Sequence, residues 1–392
     1  MGRPASTKKC PACGLAGLKR NGTRDGRVRW RCTKCGASTS QTRTDQKELA
    51  QFERFLAWVR GPRSQADLDG TLTGRSFRHD TAWCWKVPTP KPPVTGEIHD
   101  QVFIDGTHLA YHWCLLVARS GNGAVVGWQW CHSENAASYA QMLSTIVAPT
   151  VVTTDGAGGA LKAIKECWPE TRIQRCLLHV HRNNTQDLTR NPKTPAGRAL
   201  LALSQRLLKV GTKEEAAQWA ALLAAFHSQY RDYLKERTYA KDDPEGAQVR
   251  DKKASGWWYT HERDRRVYYR LNRLYQAGEL FAFLTTDTTL ERTTNPVESI
   301  NHQVKRVIKA HPGLSEDHQA CAIEWVLHSY TETPHTPRQI LKDWNVTDRP
   351  VRSLVPKKPR TTRPLGPATY DTGLSADEGL WNRKGWGGRW QP

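Results

Sequence analysis

The chain has 392 residues, with 58 Lys+Arg against 38 Asp+Glu and a formal charge of +20. That length allows two or three domains and a sizeable core, and the charge calls for a polyanionic partner, most simply nucleic acid. A membrane span is excluded: the best apolar run, WAALLAAF at 219–226, falls well short of the ~20 residues a bilayer requires.

The N-terminus is basic with no apolar segment behind it, so a secretory signal is not expected. The expected place is the cytoplasm, on the nucleoid, where ten cysteines stay reduced and serve metal binding, packing or reactivity. Residues 1–45 hold two cysteine pairs, CPACG and CTKCG, with 18 residues between Cys13 and Cys32. This is the spacing of a four-thiolate zinc site made of Cys10, Cys13, Cys32 and Cys35. Gly14 and Gly36 close the two knuckles, where positive φ is needed. Turn signals at Asn21-Gly22 and Asp25-Gly26, with alternation through Val28, Trp30 and Cys32, predict a hairpin and hence a zinc ribbon. Arg24, Arg27, Arg29 and Arg31 on its strands suit phosphate contacts.

Residues 46–87 read as helical, with Leu49, Phe52, Leu56 and Val59 on one face. Within them, residues 64–85 fit either a helix-turn-helix or a plain helical hairpin. In the first case Gly70 to Gly74 make the turn, and the second helix presents Arg75 and Arg78 to DNA. Four prolines in VPTPKPPVTG (87–96) resist both helix and central strand, which makes 88–97 a linker.

Residues 98–344 read as one α/β unit. IHDQVFIDGTHL, YHWCLLVARS and GAVVGWQWCH predict a meander of three strands. NAASYAQMLSTI predicts a helix capped by Asn135. APTVVTTDGAGGA predicts a short buried strand ending at Asp155, LKAIKECW a helix, and TRIQRCLLHVH another strand. The alternation argues a mixed sheet flanked by helices. From about 185 to 285 the pattern is of long helices, an all-α insertion. The tail 345–392, dense in Pro, Gly, Lys and Arg, is expected to be largely disordered.

Two acids stand at matching strand ends, Asp105 in FIDGTH and Asp155 in TTDGAGG. A carboxylate at the edge of a buried strand needs compensation, and two of them point to a shared hard cation such as magnesium. In TTNPVESIN, Thr294 or Asn295 caps a helix, Pro296 fits its first turn, and Glu298 near its start supplies a third carboxylate. Lys305 and Arg306, one to two turns on, are candidates for DNA contact.

Taken in order, FIDGTH, TTDGAGG, RCLLHVHRN and TTNPVESIN resemble the motifs of the Mutator-like bacterial insertion-sequence transposases. The resemblance covers about 98–330. It implies a ribonuclease-H-like fold with a helical insertion, and a DDE triad of Asp105, Asp155 and Glu298 holding two Mg2+ (or Mn2+) ions. It implies that Cys176 and His179, a Cys-x-x-His pair, position the site, and that Asn295 orients Glu298. Trp257 in the insertion would stack on an unpaired base. The implied substrates are double-stranded DNA, element ends and target, brought together by a homodimer or higher oligomer. Two rivals stand beside this reading. One is another ribonuclease-H-like nuclease or integrase, which differs in its products. The other is a non-catalytic zinc-ribbon DNA-binding regulator, which has no need of three converging acids.

Overall fold

A computed structural model of the chain describes residues 6–10, 12–24, 27–39, 44–70, 73–251, 253, 255–285 and 290–344. The tail 345–392 and the Asp25-Gly26 turn lie outside the described residues.

Four strands come first: β1 (Ser6–Lys9), β2 (Ala16–Arg24), β3 (Arg27–Cys32) and β4 (Ser38–Thr39), paired antiparallel in that order. Among the described residues its buried apolar core is Cys10, Leu18 and Cys32. So small a core does not hold a sheet unaided. Helices α1 (Thr44–Arg60), α2 (Gln65–Asp69) and α3 (Arg75–Thr81) follow. Ser64 and Asp67 form a capping box at the start of α2. Gly70 (φ 64°) ends α2 and Gly74 (φ 61°) precedes α3. Between Val87 and Asp100 no helix or strand forms.

Next comes the main sheet. Strands β5 (Gln101–His108), β6 (Cys114–Ser120) and β7 (Val125–Cys131) form an antiparallel meander. Helix α4 (Ala136–Leu143) is capped by Asn135, which accepts the Ser138 N–H at 2.9 Å. Strand β8 (Val151–Thr154), helix α5 (Gly158–Cys167) and strand β9 (Arg172–Arg175) complete a five-stranded sheet of order β7-β6-β5-β8-β9. Its β5–β8 and β8–β9 pairs are parallel. The α4 and α5 side is closed by Val102, Ile104, Leu116, Met142, Val152 and Ile164.

Two expectations are corrected beyond β9. The run after Arg175 is not strand but helix α6 (Leu177–Leu188). A short apolar run carries no period that separates the two, and Leu177, Val180, Asn184 and Leu188 all turn inward at helical spacing. The insertion is not all-α. Helices α7 (Pro195–Leu207) and α8 (Lys213–Tyr230) are followed by a two-stranded antiparallel sheet, β10 (Arg237–Tyr239) and β11 (Trp257–Tyr259), with α9 (Pro244–Val249) between and α10 (Glu262–Gln276) after. Aromatic and β-branched residues in RTY and WWY favour the pleated form. The helices share a core of Leu200, Trp219, Phe226, Val267 and Leu271. Buried Arg270 ties α10 to α6 through Asp187 (2.7 Å) and Asn184 (2.9 Å).

Three helices end the described chain: α11 (Asn295–Ala310), α12 (Glu316–His328) and α13 (Pro337–Asp343). By contact the chain divides into two units. Of the described residues, one holds those up to Pro90 together with Gln303–Ser329 and 333–344; the other holds Lys91–His302 and Tyr330–Glu332. The expected single span 98–344 is therefore not one unit. In the first unit α1 buries Phe52, Phe55 and Val59 against Cys321, Trp325 and Val326 of α12 and Ile340 of α13. An amphipathic α1 has to cover its apolar face, and the segments that do so arrive from the far end of the chain.

His328 in this core is 2 % exposed. Burial, with Arg60 and His335 adding to it, pushes its pKa down to about 4. The unfolded chain takes up that proton near pH 6.5, so the stability His328 contributes is complete above that value and is lost as pH falls toward 4. Thermal melts between pH 7.5 and 5 should show a steeper fall for the wild type than for His328→Gln.

Candidate active site

The placement of the acids begins with register. β5 and β8 run parallel, with Gln101 beside Val151, Val102 beside Val152 and Phe103 beside Thr153. Asp105 and Asp155 each lie two residues past the last pair, the spacing at which side chains return to the same face, and the charge of Asp155 bears on Asp105. Gln101 reinforces the pairing from its buried side chain. Its amide donates to Thr153 Oγ1 (2.8 Å) and to the Glu291 carbonyl (2.6 Å), and its oxygen accepts the Glu291 N–H (2.9 Å). One glutamine thus ties both strands to the segment that leads into α11.

That segment is fixed at further points. Leu177 N–H donates to the Arg292 carbonyl (3.1 Å), and Thr294 N–H donates to Cys176 Sγ (3.3 Å). Arg119 of β6 donates to the Pro296 carbonyl and to Ser299 Oγ (3.0 Å). Glu298 then lies in the first turn of α11, its Oε1 accepting the Thr294 hydroxyl at 2.6 Å and lying 3.9 Å from His179 Nδ1. Asn301, one turn on, is 5 % exposed and donates Nδ2 to Asp105 Oδ2 at 2.6 Å. Asp155 Oδ1 accepts the Ala157 N–H at 3.0 Å.

The structure therefore brings Asp105, Asp155, Glu298, Cys176 and His179 together. Asp105's carboxyl is held well above the usual carboxylate range by burial and by the charges of Asp155, Glu134 and Glu298, with His179 opposing. His179 is pushed up to about 9: burial works against it, but Cys176, Asp155 and Glu298 outweigh it. The Cys176 thiol is lowered, burial again opposing and the hydrogen bonds from His179 and Thr294 prevailing. Asn295 is exposed at the helix start and makes no hydrogen bond with Glu298 among the described residues. Thr294 takes that part.

Each of the three acids uses one oxygen on a protein donor. The other oxygen meets no hydrogen-bond donor among the described residues. Asn301 Oδ1 is a buried oxygen without a partner. An all-oxygen set of this kind suits Mg2+ or Mn2+. The three acids do not form a tight single-ion cluster. The groups whose donor atoms all fall within 4.8 Å are Cys10–Cys13–Cys32–Cys35, His108–Cys114–Glu134 and Cys176–His179–Glu298.

Four residues missed in the sequence belong to this neighbourhood. Asn301 stands three positions after Glu298, a same-face spacing that was there to be read. Thr294 is a further case. Arg175, nearly buried, donates Nη2 to the Asp155 carbonyl (2.9 Å) and pairs with Glu279 (3.5 Å). Its guanidinium lies over Gly156, which has φ 94° and no room for a Cβ. Glu134, just before the Asn135 cap, sits over Gly106 beside Asp105. Its carboxyl is pushed up to about 7, by burial first and then by Asp155.

The four N-terminal thiols also come together. Cys10 Sγ lies 3.7 Å from Cys35 Sγ, and Cys13 Sγ 3.7 Å from Cys32 Sγ. Backbone N–H groups of Cys35 and Lys34 pull the Cys32 thiol down to about 6. Ala12 N–H donates to Cys10 Sγ at 3.3 Å. Such donors favour thiolate, the form zinc takes, so the residues fit the ion.

The other candidates are dispersed. Arg29 is half-buried and Arg31 exposed on β3, while the side chains of Arg24 and Arg27 lie outside the described residues. Arg75 is exposed; Arg78 is exposed too, but donates to Gln65 Oε1 (3.3 Å) and the Thr73 carbonyl (2.9 Å). Lys305 and Arg306 are exposed on the later turns of α11. Trp257 is 36 % exposed with the Arg237 guanidinium 3.9 Å above its ring, while Trp258 is buried. No described helix is long and apolar enough to cross a membrane.

Residues 105–242 match a family model described as Transposase, Mutator family. Among curated proteins the chain is similar to the transposase for insertion sequence element IS905 of Lactococcus lactis subsp. lactis (strain IL1403). The two are 32 % identical over 97 residues, 21 % of this chain and 25 % of that protein. The chain thus spans about a quarter of the length of the curated relative it matches. The resemblance to Mutator-like insertion-sequence transposases holds on both comparisons.

Three outcomes are expected. Gly156→Ala must both hold positive φ and displace Arg175, and should cost roughly 1–3 kcal/mol in denaturant melts. Gly278→Ala, at φ 71° with open space around it, should cost only the backbone part, about 1 kcal/mol. Purified chain should also carry zinc by elemental analysis, and Cys10→Ser should lose it together with the ribbon's near-ultraviolet signal from Trp30.

Proposed function

We propose that this chain is a DDE transposase of a mobile element. It binds the element's terminal inverted repeats, cleaves DNA to expose 3′-OH ends and joins those ends to target DNA. The observation that supports the proposal is the parallel β5–β8 register, which points Asp105 and Asp155 toward one another when continued past its last pair, with Glu298 in the first turn of α11 as the third acid. The mixed sheet with a largely helical insertion supports the ribonuclease-H-like reading. The match over residues 105–242 supports the family.

Asp105, Asp155 and Glu298 are the residues that would hold two Mg2+ or Mn2+ ions. When bound, such ions polarise the scissile phosphate and lower the pKa of the attacking water or 3′-hydroxyl. The chain's own part is orientation. Asn301 turns one oxygen of Asp105 away and leaves the other to the site. Thr294 does the same for Glu298. Cys176, a residue of the matched region, anchors Thr294 through its N–H and so sets where Glu298 stands. Phosphoryl transfer needs little covalent chemistry from a protein, so placement of this kind is most of its contribution.

DNA would be held by the zinc ribbon (Arg29, Arg31 and the neighbouring Arg24 and Arg27), by Arg75 and Arg78, and by Lys305 and Arg306. Trp257, already stacked with Arg237, would take an unpaired base. Joining two ends calls for a dimer or higher oligomer.

Asp105→Asn, Asp155→Asn and Glu298→Gln should each lower Mg2+-dependent cleavage of inverted-repeat DNA by at least ~100-fold, with DNA affinity and melting temperature retained. Wild-type cleavage in any one removes that residue from the triad. Cleavage without joining to a target would favour a nuclease. Absence of both, with DNA binding intact, would favour a regulator.

A further inference from the structure

Glu134 is the acid that the transposase reading does not use. It sits between β7 and α4, and its side chain is only 8 % exposed. Its Oε2 accepts the Tyr139 hydroxyl at 3.2 Å. Its Oε1 lies 3.8 Å from Cys114 Sγ and 3.5 Å from His108 Nε2. Among the described residues no lysine or arginine pairs with it. A phenol, a thiol and a half-exposed imidazole are weak compensation for a buried carboxylate.

Its location is set by backbone. A Cβ built on Gly106 would collide with the Oε1, Cδ and Cγ atoms of Glu134. The carboxylate therefore lies directly on β5, against the residue that follows Asp105. The absence of a side chain at Gly106 makes the room that Glu134 fills. The charge of Glu134 bears on Asp105, as do those of Asp155 and Glu298. Close by, Asn301 keeps a buried oxygen without a partner, and so does Thr107 at its Oγ1. The acids on this end of the sheet are thus four, flanked by two oxygens that lack donors. A divalent cation satisfies such a set; among the described residues no further protein donor meets these oxygens.

We propose that Glu134 is a fourth carboxylate of the metal centre, a ligand to the ion that Asp105 would hold, delivered across the bare backbone of Gly106. The proposal rests on the metal-dependent reading given above and adds a ligand to it. With Glu134 added to Asp105 and Asp155, the site would hold enough carboxylates to bind metal before DNA supplies phosphate oxygens.

The test is Mn2+ binding to the full chain without DNA, followed by electron paramagnetic resonance, for wild type, Asp105→Asn and Glu134→Gln. Glutamine keeps the size of the side chain and an acceptor for Tyr139 while removing the charge. Weakening of Mn2+ binding by about tenfold or more in both variants is the expected result. If Asp105→Asn weakens binding and Glu134→Gln does not, Glu134 is no ligand and the triad alone stands. If the wild type binds no Mn2+, or Asp105→Asn leaves binding unchanged, the metal-dependent reading fails and this proposal with it. Glu134→Ala, which asks nothing of the Tyr139 hydroxyl, is read in the same way should the glutamine variant melt early.

Discussion

The arrangement depends on one unfavourable contact: Asp105 on β5 and Asp155 just past the end of its parallel neighbour β8, two half-buried carboxylates at one end of a sheet. Parallel pairing fixes them there. A slip of one residue in β8 would turn Asp155 to the opposite face, so the register itself decides whether the two carboxylates meet. Their mutual repulsion, added to desolvation, works against folding. The surrounding polar contacts make sense as the means of holding that register against the repulsion. Gln101 bonds to Thr153 across the strand pair, and Arg175 clamps the Asp155 carbonyl while paired with Glu279.

The same economy of polar groups connects parts distant in sequence. Gln101 reaches Glu291, and Cys176 reaches Thr294. Asn301 reaches Asp105. Each is a buried or partly buried hydrogen bond whose loss would leave a partner unsatisfied, which costs more than the bond itself contributes. The insertion between Asp155 and Glu298 therefore does not loosen the third acid. It closes on its own core around Trp219 and Leu271, and the chain returns to the sheet through bonds made at 291–301.

Much of this was legible in the sequence, because the signals were local. The meander of β5–β7, the Asn135 cap and the strand ending before Asp155 follow from alternation, turn residues and capping chemistry. What was not legible depends on partners far along the chain. LLHVH was misread because three apolar residues in five fit a buried strand as well as a buried helix. The return of α12 and α13 to α1 was invisible, since no local pattern names a partner. Glu134 stands before the Asn135 cap, and no local pattern marks it. Only the lack of a side chain at Gly106 shows where its carboxylate goes. Arg175 likewise carries no local signal; Gly156 beneath it is what admits it.

A chain of net charge +20 that gathers acids at one end of a sheet faces an electrostatic contradiction, because its proposed substrate is a polyanion. Basic surface draws DNA in over distances of about a Debye length, ~10 Å at ordinary ionic strength, but at contact range the acids repel phosphate. Divalent ions reverse that sign locally, since the bound ion is the largest charge in such a site. The order of events follows from this. A site with three carboxylates, or four, is hostile to phosphate until it is loaded and attractive afterwards, so metal binding would gate the approach of the scissile group while leaving the grip of distant arginines unaffected. Lysines at these positions would attract phosphate too, but they would neither release a proton from the attacking oxygen nor let the site be switched by the ion.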